Sequence, residues 1–273
     1  MPAPEANAAA DLALIEEAVR EAGKIARSYF GGRYRSWDKG KGQPVTEADL
    51  AVDRFLHDTL LRARPDYGWL SEETEQEPGR LSAPQTFVVD PIDGTVGFLK
   101  GRPQFTICAA VVRDGRPLSG VVFNPITVEC FTATDGGGAH LNGRPISVSR
   151  CEAVEGCRIL AAKATFAHPA WSIPPNTPWP EMAVETRSSI AYRMALVAGG
   201  TFDAMLALSA KHDWDLAAGD VIVCEAGGCV TNHRGEALRY NGVEPLQPSV
   251  VCAGPALHAR LLERLAHLPP PRH

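Results

Sequence analysis

The feature that most constrains the fold is an apolar stretch that runs directly into two carboxylates, in residues 87–95. The segment Phe87-Val88-Val89 is typical of a buried strand. Pro91 favours an extended backbone at Asp90, and Gly94 permits a tight turn behind Asp93. The two carboxylates can therefore converge at the end of the strand, where their like charges repel unless a cation lies between them.

A hard divalent ion such as Mg²⁺ takes oxygen ligands, and such a turn also offers main-chain carbonyls, among them that of Ile92. If a helix begins near Gly94-Thr95, its free N–H groups suit a phosphate oxygen. The alternative is an ordinary surface turn, because Asp-Pro and Asp-Gly dipeptides are common in turns. Taken alone, the segment favours that alternative.

Three further acidic elements occur in similar settings. Because all four would have to be ordinary turns or caps by coincidence, the surface-turn interpretation becomes the weaker one. They are Glu72 in Ser71-Glu72-Glu73 after a short apolar run, Asp49 in the first turn of a helix, and Asp215 in Trp214-Asp215-Leu216-Ala217-Ala218-Gly219 at another helix start. Each has its own ordinary interpretation, as a helix cap or as a solvated loop charge.

The pattern of apolar residues predicts an α+β first part and an α/β second part. In the first part we expect a helix over 11–30, a helix capped by Thr46 with Asp49 three residues on, and strands near 86–89, 105–112, 120–123 and 130–133. In the second we expect strands near 158–162 and 202–206 and helices over 189–198 and 215–226. The parts would be residues 1–155 and 156–273.

Composition excludes several classes of function. Lys and Arg number 27 against 32 Asp and Glu, a net charge of −5, so no basic field exists to attract a nucleic-acid polymer or an anionic membrane. The longest apolar run, residues 107–112, is short of the roughly 20 residues that a membrane span needs. The first nineteen residues carry no Lys or Arg, unlike a secretory signal, so we expect a cytoplasmic protein.

The ordered set of motifs resembles the inositol monophosphatase superfamily of metal-dependent, lithium-sensitive phosphomonoesterases. The segments that carry the resemblance are Pro44-Val45-Thr46-Glu47-Ala48-Asp49, Ser71-Glu72-Glu73, Asp90-Pro91-Ile92-Asp93-Gly94-Thr95 and Trp214-Asp215-Leu216-Ala217-Ala218-Gly219. The resemblance implies a layered αβαβα sandwich of the sugar-phosphatase type. It also implies hydrolysis by water activated by two or three Mg²⁺ ions, without a protein nucleophile, and relatives are commonly homodimers.

The same resemblance assigns roles to individual residues. One metal would be bound by Glu72, Asp90 and the Ile92 carbonyl, a second by Asp90, Asp93 and Asp215, and a third, weaker ion would lie near Glu72. The attacking water would be oriented by Glu72 and by Thr95 with Asp49 behind it. The substrate phosphate would meet the N–H groups of Gly94 and Thr95, close to Asp93 and Asp215. Lys39 resembles the basic residue of a mobile loop.

Two departures from the family pattern bear on the loop and on the substrate contacts. Lys41 stands where many relatives carry an acidic residue, and Gly97 replaces an Asn that is common before Phe98. Lys100, which follows Asp93-Gly94-Thr95-Val96-Gly97-Phe98-Leu99, resembles a basic residue of the bacterial bisphosphate-nucleotidase branch. Lys211 and Arg187 are further candidates for substrate contacts, although a solvated helix entrance and a surface cap are their ordinary interpretations.

The resulting hypothesis is a 3′(2′),5′-bisphosphate nucleotidase that removes the 3′-phosphate of adenosine 3′,5′-bisphosphate. The alternative is inositol-1-phosphate hydrolysis, with histidinol phosphate and fructose 1,6-bisphosphate as minor options. A metal-binding regulatory module without turnover is the alternative from a different class, and the joint presence of Glu72, Asp90, Asp93, Thr95 and Asp215 argues against it.

Overall fold

The structure, a computed structural model, describes residues 4–40, 44–167 and 169–267. Lys41 lies outside the described residues. The α-helices are α1 Pro4–Tyr29, α2 Glu47–Ala63, α3 Thr95–Leu99, α4 Lys163–Phe166, α5 Ile190–Ala198, α6 Asp213–Glu225 and α7 Pro255–Leu265. Short 3₁₀ helices cover Pro78–Ser82 and Pro169–Ser172.

Most of the strands belong to two sheets. In chain order the strands are β1 Ser36–Asp38, β2 Pro44–Thr46, β3 Gly68–Ser71, β4 Thr86–Asp93, β5 Thr106–Arg113, β6 Arg116–Asn124, β7 Glu129–Thr134, β8 Gly138–Leu141, β9 Arg144–Pro145, β10 Arg158–Leu160, β11 Ala183–Glu185, β12 Ala204–Ala207, β13 Lys211–His212, β14 Cys229–Thr231, β15 Leu246–Gln247 and β16 Val250–Ala253. The first sheet has the order β3-β4-β5-β6-β7-β8-β9, with β3 and β4 parallel and the other pairs antiparallel. The second has the order β11-β10-β12-β16-β14.

The central strands of the first sheet are apolar on both faces because helices cover both. On β4, Phe87 and Val89 pack against α1 and α2, while Val88, between them, packs against α5 and α6. Alternate residues of a strand point to opposite faces, so a doubly covered strand is apolar without interruption. This is why the three residues directly before Asp90, which are Phe87, Val88 and Val89, are all apolar.

Five layers result, in the order α1 and α2, first sheet, α5 and α6, second sheet, α7. The outermost helix α7 places Leu257, Leu261 and Leu265, four residues apart, against the second sheet. The predicted layered αβαβα sandwich is confirmed. We propose residues 1–155 and 156–273 as its two parts, since the boundary falls between β9 and β10; the two parts share the core that α5 and α6 form with both sheets.

Local signals explain where the helices that support the site begin. Thr46 caps α2 as expected: its Oγ1 accepts from the N–H of Ala48 at 3.1 Å, and the Asp49 carboxylate accepts from the Thr46 N–H at 2.8 Å. Helix α6 begins at Asp213 rather than at Asp215, so this boundary was predicted two residues late. Within the described ranges, no helix is both long and apolar enough to cross a membrane.

Candidate active site

A β-bulge in β4 brings Asp90 and Asp93 to the same side of the sheet. Residues three apart in a regular strand point to opposite faces. Here Asp90 pairs with Cys108 and Asp93 with Thr106, so three steps along β4 match two along β5. The extra residue reorients the strand, as bulges beside active sites commonly do, and both carboxylates become available to one ligand.

Gly94 makes the turn after this bulge possible. Its φ is +97°, a conformation that residues with a Cβ rarely adopt, and a Cβ there would lie 2.9 Å from the Ser189 nitrogen and 3.0 Å from the Gln104 carbonyl oxygen. Helix α3 starts at the next residue, Thr95, so the helix start on which the phosphate-binding argument depends is present. The bulge, the turn and the helix start therefore follow one another within six residues.

The third carboxylate reaches the site from the second part of the chain. Asp215 lies in the first turn of α6, where its Oδ2 accepts from the His212 N–H at 2.9 Å. Oxygen atoms of Asp90, Asp93 and Asp215 all lie within 4.8 Å of one another. Asp93 is held in place by α5, because its carboxylate accepts from Ser189 Oγ at 2.6 Å and from the Ala191 N–H at 2.7 Å.

The carboxylates of this cluster are buried and repel one another. Loss of hydration, followed by the charges of Glu72, Asp93 and Asp215, raises the pKa of Asp90 well above its usual range. Loss of hydration and the neighbouring carboxylates also raise the pKa of Asp215 and of Glu72, although Lys39 partly offsets the effect at Glu72. The folded protein therefore disfavours the fully ionised cluster.

The residues present fit a hard divalent cation. Asp90 Oδ1 is buried and has no hydrogen-bond partner among the described residues, which is a costly arrangement unless another group binds it. All the donor atoms are oxygens, the ligand type that Mg²⁺ prefers. A cation at this point would bind the unpaired oxygen of Asp90 and would also offset the mutual repulsion of the carboxylates.

Glu72 follows β3, the parallel neighbour of β4, and lines the same cavity as the three aspartates. Lys39, the residue after β1, lies beside it: Lys39 Nζ is 2.6 Å from Glu73 Oε2 and 3.5 Å from Glu72 Oε1. The structure thus places Lys39 at the edge of the site.

Thr95 and Asp49 are in contact, as the sequence led us to expect. Thr95 Oγ1 lies 3.3 Å from Asp49 Oδ1 and 3.1 Å from the Ile92 carbonyl oxygen. Burial raises the pKa of Asp49 to about 6, with a further contribution from the charge of Glu73, while hydrogen bonds from Thr46 oppose the rise. Above that pH Asp49 is ionised, and its carboxylate competes with the Ile92 carbonyl oxygen for the Thr95 hydroxyl hydrogen.

A cavity of about 580 Å³ opens onto the cluster. Its acidic wall contains Glu72, Asp90, Asp93 and Asp215. The cavity is also lined by four basic residues, which are Arg102, Arg187, Arg193 and Lys211. It therefore combines oxygen ligands for a cation with donors for an anion.

The structure changes the set of basic residues near the site. Lys211 and Arg187 line the cavity, although Arg187 also pairs with Glu185 at 2.9 Å. Lys100 does not line it: this residue is exposed at the end of α3, and the turn at Gly101 carries the chain on so that Arg102 faces the cavity instead.

Arg193 was missed by the sequence reasoning, although a signal was present. It is the single charged residue in the otherwise apolar helix α5, Ile190–Ala198. Its Nε donates to the Arg187 carbonyl oxygen at 2.7 Å, and its Nη2 donates to the same oxygen. An isolated arginine in an otherwise buried helix is a signal of a functional site, because its charge must be paired or must face a polar cavity.

The Gly97 departure has a packing reason. A Cβ at this position would lie 2.7 Å from Ser188 Oγ and 2.9 Å from Ser188 Cβ. The side chain of Ser188 occupies the space that a larger residue in α3 would need. Ser188 itself lines the cavity, so this close approach lies at the cavity's edge.

A buried polar network ties the elements that carry the carboxylates. Asn241 Oδ1 accepts from Arg80 Nη1 at 2.5 Å, its Nδ2 donates to Thr86 Oγ1 at 2.9 Å, and its N–H donates to Asp213 Oδ2 at 2.6 Å. Thr86 is the first residue of β4 and Asp213 the first of α6. The network therefore fixes the start of β4 relative to the start of α6.

The fold and this site define a metal-dependent phosphatase of the layered αβαβα type. The inositol monophosphatase family model matches residues 8–269, and the chain belongs to that family. It is a member of a family of metal-dependent phosphoric monoester hydrolases.

Individual relatives agree with this assignment. An inositol-1-monophosphatase from Rhizobium meliloti (strain 1021) is 34% identical over 266 residues, which cover 95% of this chain and 97% of the relative. The Nus factor SuhB of Escherichia coli (strain K12) is 33% identical over 231 residues, covering 82% and 85% of the two chains. Among solved structures, the extragenic suppressor protein SuhB from Bartonella henselae superposes with a TM-score of 0.81 at 29% identity, covering 94% of this chain and 99% of that one.

Proposed function

We propose that this protein is a Mg²⁺-dependent 3′(2′),5′-bisphosphate nucleotidase that removes the 3′-phosphate of adenosine 3′,5′-bisphosphate. The observation that carries the hydrolytic part is the convergence of Asp90, Asp93 and Asp215 within 4.8 Å, with an unpaired oxygen on Asp90. The ions would be held by the side chains of Glu72, Asp90, Asp93 and Asp215 and by the Ile92 carbonyl. Bound Mg²⁺ supplies Lewis-acid activation of water and neutralises phosphate charge.

The chain's own groups position the water and the phosphate. Ionised Asp49 accepts the hydrogen of Thr95 Oγ1, so the lone pairs of that oxygen are free to accept from the attacking water. The water is then aimed by Thr95 and Glu72 from two directions. The N–H groups of Gly94 and Thr95 belong to the start of α3, where N–H groups have no acceptor within the helix, and they suit a phosphate oxygen.

The basic residues of the cavity support the choice of a bisphosphate. Three arginines and a lysine line the cavity together with the acidic cluster, and such cations can pair with a second phosphate. The positive charge comes from Arg102, Arg187, Arg193 and Lys211, whereas Lys100 does not line the cavity. Inositol-1-phosphate is the second candidate, because the Rhizobium meliloti relative bears the name inositol-1-monophosphatase.

Phosphate release from adenosine 3′,5′-bisphosphate and from inositol-1-phosphate, measured side by side with Mg²⁺, tests the proposal, with Asp90→Asn as the blank. We expect the nucleotide to have the higher kcat/KM, activity to vanish in excess chelator, and lithium to inhibit. A preference for the inositol ester would refute the nucleotide assignment. Full activity in chelator would refute the metal mechanism.

Two further expectations complete the proposal. All seven cysteines lie within the described residues and are free thiols, four of them buried, which supports a reducing, cytoplasmic location. A homodimer stays a prediction, to be checked by sedimentation.

A further inference from the structure

A second cavity of about 440 Å³ adjoins the first and has no role in the hydrolysis described above. The two cavities share four lining residues, which are Ser188, Ile190, Arg193 and Lys211. We call the second cavity the leaving-group lobe. Its remaining wall comes from the end of β12 with the residues after it, and from the turn into α4, and comprises Ala162, Thr165, Leu206, Ala207, Leu208 and Ser209.

The chemistry of this wall discriminates between classes of ligand. Half of the lining is aliphatic, and the polar remainder consists of hydroxyls and two cations; no described residue of the lining is acidic. A polyol ring carries hydroxyls around its whole edge, and those that meet the aliphatic half of the wall would be left without hydrogen-bond partners, which is costly. An apolar, flat ring that bears acceptor atoms and an anion fits such a wall, since it buries apolar surface and pairs with the cations.

Arg193 and Lys211 lie where the two cavities meet, and each has N–H groups that are not used in hydrogen bonds within the protein. Arg193 uses Nε and Nη2 on the Arg187 carbonyl oxygen, which fixes the guanidinium plane and leaves its other N–H groups for a ligand. Lys211 Nζ donates to Ser209 Oγ at 2.8 Å and to the Ala210 carbonyl oxygen at 2.9 Å, two of its three N–H groups. A phosphate at this junction would receive charge-assisted hydrogen bonds from both.

We propose that the leaving-group lobe binds the base and sugar of a nucleoside bisphosphate, with the phosphate that is not hydrolysed held by Arg193 and Lys211. The assignment rests on the proposed function and names the part of the cavity that selects the substrate. It predicts that the product, adenosine 5′-monophosphate, binds the lobe without metal.

The first experiment fills the lobe. Ala162→Trp places an indole at its wall, and Lys163→Trp places the same group on the exposed neighbour that does not line it. We expect the ratio of kcat/KM for adenosine 3′,5′-bisphosphate over glycerol 2-phosphate to fall about tenfold or more in Ala162→Trp and to keep its wild-type value in Lys163→Trp. An unchanged ratio in Ala162→Trp, or an equal fall in both variants, would overturn the proposal.

The second experiment measures binding instead of turnover. In chelator, calorimetric titration with adenosine 5′-monophosphate and with adenosine separates the phosphate contact from the base contact. Arg193→Met should weaken binding of the nucleotide about tenfold and leave that of adenosine unchanged; equal effects on both would overturn the role of Arg193. Absence of Mg²⁺-dependent hydrolysis of every ester would instead refute the proposed function, while binding in chelator would still report on the lobe.

Discussion

Replacing Asp90 by Asn should abolish turnover and yet stabilise the metal-free protein. The substitution keeps the shape of the side chain and removes one charge from a buried group of like charges. Asp90 repels both Asp93 and Asp215, whose oxygens lie within 4.8 Å of it and of each other. At this separation and an effective dielectric constant of roughly 20, each such pair costs about 3 to 4 kcal/mol.

The repulsion energies of the two pairs do not add in full, because a carboxylate takes up a proton once the repulsion exceeds the free-energy cost of protonation. That cost is about 5 kcal/mol at about pH 7.5, from ~1.4 kcal/mol per pH unit above the ordinary pKa. The buried Asn amide would lack some hydrogen bonds, a loss of about 1 to 3 kcal/mol. We therefore expect the free energy of unfolding in chelator to rise by about 2 to 4 kcal/mol, which raises Tm by roughly 5 to 15 °C.

Thermal unfolding in chelator and in excess Mg²⁺ measures this effect. Mg²⁺ at a hundred times its dissociation constant should raise the free energy of unfolding of wild type by about 3 kcal/mol, and its Tm accordingly. The increase for Asp90→Asn should be far smaller. The matched control is Asp203→Asn, because Asp203 is a buried carboxylate paired with Arg158 Nη2 at 2.9 Å, and the same chemical change should lower its Tm. A lower Tm for Asp90→Asn in chelator, or an equal Mg²⁺ response in both proteins, would refute the reasoning.

Three other perturbations test neighbouring parts of the site. The pKa of Asp49 is raised to about 6, so its ionisation destabilises the folded state by up to about 3 kcal/mol. In chelator, the stability of wild type relative to Asp49→Asn should therefore fall as the pH rises from about 4 through about 6. A pH-independent difference between the two proteins would contradict this. Gly94→Ala should lower both Tm and kcat, because the new Cβ meets backbone atoms of Ser189 and Gln104. The control is Gly101→Ala, which is also at positive φ but has nothing within 4 Å of the added Cβ. It should cost only about 1 kcal/mol in urea unfolding. Asn241→Ala removes one of several acceptors of the buried Arg80 guanidinium and the side-chain hydrogen bond to Thr86. It should cost about 2 to 4 kcal/mol in urea unfolding and also weaken Mg²⁺ binding. Asn142→Ala, at a similar φ on an exposed hairpin, should affect neither as much.

Much of the scaffold followed from local sequence signals. Thr46 with Asp49 fixed the start of α2, and the apolar run before Asp90 predicted a buried strand there. The strand was expected to end at Val89, because Asp and Pro are unfavourable in strands. It continues to Asp93, since the bulge absorbs the irregularity, and such a bulge depends on pairing with β5, which a local pattern does not reveal.

The remaining differences have the same origin in tertiary structure. The start of α6 was predicted too late because His212, the residue before it, is not one of the side chains that usually cap helices. Lys100 and Arg102 are two residues apart on a tight turn, so sequence position alone did not distinguish which would face the cavity. Arg193 became significant only when α5 was seen to form a wall of that cavity.

The network around Asn241 also has an evolutionary consequence. Arg80 and Asn241 are 161 positions apart, yet one hydrogen bond joins them, and the same asparagine contacts Thr86 and Asp213. A substitution at Asn241 leaves Arg80, Thr86 and Asp213 with fewer hydrogen bonds, and a change at one of those positions can offset the loss. Across relatives the four positions should therefore covary as one unit, and a drift in one half of the gene should be followed by compensation in the other.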